Sequence, residues 1–129
     1  MKRLQAEGDL VAAFLQEVLP KIERVVSRAL QDGRSLGELA VNLERSADGR
    51  VRGGCAPREA VAKRWLDDPK IPVDAADAIA TEVRETPSTQ VPIVLAIETP
   101  RGDIVYGVKR LEGDVVVPIL DPKPKPKPN

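Results

Sequence analysis

Asp9 to Leu30 is the stretch that most constrains this chain, because only there does the apolar pattern persist long enough to fix a secondary structure. Val11, Leu15, Val18, Ile22, Val25 and Ala29 recur at alternating spacings of four and three, which holds one stripe along one side of an α-helix. Leu10, Phe14, Leu19 and Val26 widen the stripe beyond the seam of a two-helix contact. The helix therefore needs a broad surface to cover it, either a sheet of its own chain or the same helix of a second copy. Asp9 is placed to cap its start, and Asp32-Gly33 to end it. Pro20 interrupts the hydrogen-bond ladder, but the stripe continues in register on both sides, which predicts one kinked helix and not two.

Downstream, Ser35-Leu36-Gly37-Glu38 has the form of a capping box, and Leu36, Leu39, Ala40 and Leu43 follow at helical spacing. This predicts a second, shorter helix. A competing reading makes Val41, Leu43 and Arg45 a strand that turns at Asp48-Gly49 into Arg50 to Arg52, since Asp-Gly favours hairpins. Arg50 to Ala56 reads as irregular. Pro57 suits the first turn of a helix whose apolar side is Ala60, Val61, Trp65 and Leu66 and which Asp67-Asp68-Pro69 ends. Asp74 is placed to cap a further helix that buries Ala76, Ile79, Ala80 and Val83.

At Thr86-Pro87-Ser88 the pattern becomes extended. Val91 to Glu98, Ile104 to Arg110 and Val115 to Leu120 are rich in valine and isoleucine and separated by turn-forming clusters, which predicts a three-stranded antiparallel meander. Pro118 puts the last of these at an edge. The fold expected is α+β, N-terminal helices packed on one face of that C-terminal meander, as a single domain over residues 1–120. Residues 121–129 alternate lysine and proline and read as a disordered, extended tail.

Composition narrows the chemistry. Twenty basic residues balance twenty acidic ones, so no global field draws the chain to nucleic acid or an anionic membrane. There is no histidine, which removes the commonest general base and the commonest metal ligand. One cysteine cannot form an internal disulfide, and the most apolar run, Val91 to Ile97, is far short of the ~20 residues that span a bilayer. These features point to a cytoplasmic protein of bacterial type with no cofactor and no metal.

Locally, residues 45–64 are basic: Arg45, Arg50, Arg52, Arg58, Lys63 and Arg64 stand against Asp48 and Glu59. Gly53 and Gly54, just ahead of an expected helix N-terminus, offer backbone amides to an anion. The candidate anion or nucleic-acid site is thus Arg50, Arg52, Gly53, Gly54, Arg58, Lys63 and Arg64. The three middle helices also allow a degenerate helix-turn-helix, although the loop between the first two is too long for that motif and the seven acids between Leu66 and Pro100 repel a duplex. Cys55, flanked by Arg52 and Arg58, has a nucleophile reading, opposed by the lack of a base and of a resolving thiol. Asp67-Asp68 and the Asp74/Asp77 pair have sufficient reasons in helix ends and starts to need no metal.

The leading expectation is a non-enzymatic protein-interaction module, a small adaptor or regulatory subunit that forms a homodimer through Val11, Leu15, Val18, Ile22 and Val25 and binds another protein. The alternative is a nucleic-acid- or phosphate-binding regulator that uses the basic segment.

Overall fold

The structure, a computed structural model, describes residues 2–112 and 115–120, with side chains described from residue 9 to residue 111. The elements in chain order are α1 (Lys2–Gln31), a single 3-10 turn (Leu36–Glu38), β1 (Leu39–Arg45), β2 (Val51–Pro57), α2 (Arg58–Leu66), α3 (Val73–Glu85), β3 (Val91–Glu98), β4 (Ile104–Glu112) and β5 (Val115–Leu120). The strands form one five-stranded sheet in the order β2-β1-β3-β4-β5. Neighbours run antiparallel except β1 and β3, which are parallel, with Leu43 opposite Leu95.

The architecture is α+β, but the expected three-stranded antiparallel meander is corrected to a mixed five-stranded sheet. The difference arises at Leu39 to Pro57. Leu39, Ala40, Val41, Asn42 and Leu43 are all buried, because helices cover both faces of β1. Such a strand shows no two-residue alternation, so its Leu36, Leu39, Ala40, Leu43 spacing passes for a helix. The expected second helix is only one 3-10 turn, and with it goes the helix-turn-helix. The hairpin alternative describes this region: Ser46 N–H donates to the Arg50 carbonyl at 2.8 Å and Gly49 N–H to the Ser46 carbonyl at 2.9 Å.

Helices lie on both faces of the sheet, not on one. Leu39, Val41 and Leu43 with Val91, Ile93, Leu95 and Ile97 point toward α1, which contributes Val11, Phe14, Leu15, Val18, Ile22 and Val26. On the other face Ala40, Val94, Ala96 and Val108 meet Val61, Ala62 and Trp65 of α2 and Ile79, Ala80 and Val83 of α3. Alternation thus reappears as two separate clusters, one per face. The α2–α3 pair supplies the crossover that parallel neighbours β1 and β3 require.

Several local expectations change. The helix begins at Lys2, so Asp9 lies inside it and does not cap it, and α1 runs without a break through Pro20. Pro72, not Asp74, occupies the N-cap of α3, and Pro57 the N-cap of α2. Gly33 (φ 91°) closes α1: its N–H reaches the Leu30 carbonyl and the Arg34 N–H the Ala29 carbonyl, both at 3.1 Å. That is the Schellman arrangement, which folds Arg34 back over the helix end. The Lys-Pro segment 121–129 lies outside the described residues.

Candidate functional site

The sequence-predicted basic segment does not converge. Gly53 and Gly54 lie within β2, opposite Leu43 and Asn42, and not in a loop that leads into the helix. Gly53 has φ 118°, and a Cβ there would fall 1.9 Å from the Asn42 carbonyl oxygen, so glycine is required by backbone approach. Arg58 is buried. Its Nε donates to the Leu39 carbonyl at 3.1 Å, Nη1 to that of Thr86, and Nη2 to those of Leu36, Pro87 and Gln90 at 3.2, 3.1 and 2.7 Å. Every nitrogen of the fork is engaged, which leaves nothing for an external anion. Burial, and secondarily the nearby Arg110, pull this guanidinium below its ordinary pKa.

The remaining members point to solvent, and most have carboxylate partners. Arg50 reaches Asp48 at 3.4 Å, Lys63 reaches Asp67 at 2.9 Å and Arg64 pairs with Glu44. The hydrogen bond to Asp67 holds the Lys63 ammonium above its usual value, while the Ser46 hydroxyl and the Arg50 amide hold Asp48 below its own. Arg52 is exposed and has no ion pair among the described residues.

The proposed dimer stripe is equally committed. Val11, Leu15, Val18 and Ile22 are buried against the chain's own sheet, and Val25 is half-buried at the margin of the same cluster. Arg45 seals one end of this packing, with its guanidinium 5.2 Å from the Phe14 ring and an ion pair to Glu17.

What the structure does assemble is a cleft of about 350 Å³ between the C-terminal end of α1 and β2, one of the two edge strands of the sheet. Its floor includes Val25, Ala29, Leu39 and Cys55, and Arg28, Asp32 and Arg34 stand on its rim. Arg28 is the last-turn arginine of α1, where the helix dipole favours a cation, and the Schellman turn delivers Arg34 beside it. Neither arginine was legible as a site residue, since 20 positions or more separate them from Cys55 in sequence. Cys55 is half-buried, and burial raises its thiol pKa more than Arg34 lowers it, the opposite of an activated nucleophile.

A second, smaller cleft of about 90 Å³ lies near the C-terminal ends of β1 and β3, with Glu44, Glu98 and Asp68 against Arg45, Arg52 and Lys70. Its charges balance. A depression of about 640 Å³ along Pro20 to Gln31 has a described wall from α1 alone. Among the described residues there is no cluster of three metal-ligating side chains, and no helix is long and apolar enough to cross a membrane.

Comparison of the chain with models of known protein families, with curated proteins and with solved structures returned no match. The functional reading therefore rests on the geometry at β2.

Proposed function

We propose that this protein is a non-enzymatic interaction module that receives an extended segment of a partner protein along β2. The observation that carries the reading is the position of β2: it is hydrogen-bonded to β1 on one side only and is bordered by an open cleft. An edge strand presents a row of unpaired backbone donors and acceptors, and adding a partner strand satisfies them while flanking pockets select side chains. Gly53 and Gly54 keep the middle of β2 free of side chains, which lets a partner backbone approach.

Self-association through α1 loses its support, because exposing Val11, Leu15, Val18 and Ile22 to a second copy would uncover the sheet they pack on. The non-enzymatic part of the reading draws on the raised thiol pKa of Cys55 and on a chain without histidine. A cytoplasmic location accords with a single unpaired cysteine.

Site-specific photo-crosslinking in cells tests the reading. A benzophenone amino acid at Arg52, on β2, is expected to capture a protein whose crosslinked peptide is an extended segment, and the same probe at Asp77, on α3, to capture none. Capture from Asp77 with none from Arg52 would overturn it.

A further inference from the structure

We infer that the segment received at β2 is acidic, with a carboxylate that enters the cleft where Arg28 and Arg34 stand. The inference rests on the reading of β2 as a receiving edge, and adds the chemistry of what it receives.

Its basis is a contrast among the arginines. Arg45, Arg50, Arg64, Arg84 and Arg110 each face a carboxylate of the same chain: Glu17, Asp48, Glu44, Glu59 and Glu82. Arg28 and Arg34 have no ion pair among the described residues and are exposed beside β2, whereas Arg52, also without a close ion pair, stands opposite Glu44 in the charge-balanced smaller cleft. Arg24 extends the row one turn back along α1, while Arg101 stands apart in the turn between β3 and β4. Among the described residues that line the cleft, Asp32 alone opposes Arg28 and Arg34.

The faces are set by the strand's alternation. Val51 and Cys55 pack with the α1 cluster, and Ala56 packs with the α2–α3 cluster. Arg52 shares the parity of Ala56, so it projects on the face opposite the Arg28–Arg34 cleft. A strand added to β2 therefore meets unpaired positive charge on its α1 face, while the opposite face, where Arg52 stands among Glu44, Glu98 and Asp68, is balanced, so residues of that strand on the α1 face carry the acids. The backbone has its own pattern. Because the Ser46–Arg50 bond closes the hairpin, alternation gives Arg52, Gly54 and Ala56 to β1 and turns the amides of Val51, Gly53 and Cys55 outward. A second copy of this chain fits the edge badly, since it brings a second set of the same unpaired arginines to the junction.

The test uses the full chain and three fluorescein-labelled probes: a peptide of three valine-glutamate-glutamate repeats, its lysine counterpart and a deoxythymidine decanucleotide. Fluorescence anisotropy reads affinity, and amide hydrogen exchange by NMR reads the site. The acidic peptide is expected to bind, to protect the amides of Val51, Gly53 and Cys55, and to lose about tenfold in affinity with Arg28→Glu plus Arg34→Glu. Those two side chains are exposed, so the double variant is expected to keep the circular dichroism spectrum of the parent. Binding of the lysine peptide with the same protection would overturn the acidic assignment and leave the edge reading standing. Acidic-peptide binding without protection at β2 would overturn both. Binding of the oligonucleotide alone, or of no probe, would also overturn the inference.

Discussion

Arg58 Nη2 donates to the Gln90 carbonyl oxygen at 2.7 Å, tying the first turn of α2 to the residue before β3 across 32 positions of sequence. The same fork holds Leu39 at the start of β1 and Thr86 at the end of α3. One side chain thus fixes the point where the crossover leaves and re-enters the sheet. The prediction is that Arg58→Met costs about 3 kcal/mol or more in chemical denaturation, because several buried carbonyls lose their donors together. Arg58→Lys is expected to recover little of it, since an ammonium cannot reproduce the planar fork. A loss below about 1 kcal/mol for Arg58→Met would show that water replaces the fork, the usual cost of one unsatisfied group being higher.

Trp65 Nε1 donates to Asn42 Oδ1 at 2.7 Å in the interior, and Asn42 Nδ2 in turn donates to Glu44 at 3.0 Å. Trp65→Phe removes the donor, leaves the Asn42 oxygen buried without a partner and opens space beside Tyr106, whose ring centroid is 6.2 Å away. Thermal unfolding is expected to show a loss of about 2–4 kcal/mol from the combined polar and packing terms. Asn42→Leu in the Trp65→Phe background should restore part of it, and a double variant weaker than either single would contradict the pairing.

Gly53→Ala sets a methyl group against the Asn42 carbonyl and strains a backbone at φ 118°. The expected result is loss of β1–β2 pairing, read as fast exchange of the Arg52, Gly54 and Ala56 amides. Gly54→Ala, with open space around it, should leave them protected.

Cys55 and Tyr106 both have pKa values raised by burial. The folded state holds their protons more tightly than the unfolded state. Their contribution to stability is therefore complete below the ordinary thiol value of 9.0 and is lost as pH rises through the folded values. Denaturation midpoints are expected to fall above about pH 9, and less steeply in Cys55→Ala. A midpoint that rises over that range would refute the assignment. For the same reason, a thiol reagent at neutral pH should label Cys55 more slowly in the folded chain than in denaturant.

The regions read well from sequence were those whose physics is local. Phe14, Val18 and Ile22 form a stripe that any large apolar surface would bury, and Gly33 closes the helix by its own conformational freedom. Val91 to Glu98 is rich in β-branched residues and occurs as β3 with those bounds. The failures are equally specific. Leu39 to Leu43 is buried throughout, Asn42 included, because helices cover both faces, and nothing within seven residues tells a doubly covered strand from a helix. Arg58 looked like a free cation, for its five carbonyl partners come from Leu36, Leu39, Thr86, Pro87 and Gln90.

By itself, then, the sequence determined the amphipathic first helix, the strand-rich last third, the helix-ending turns and a chemistry without histidine, since propensity, periodicity and composition act over a few residues. Only the tertiary structure decided that α1 and the α2–α3 pair take opposite faces, that β1 runs parallel to β3, that Arg58 is internal and that Arg28, Arg34 and Cys55 share a cleft. Those outcomes depend on which surfaces cover one another across more than 20 residues of chain, 52 between Leu43 and Leu95, and the burial of both faces of β1 is what selects them.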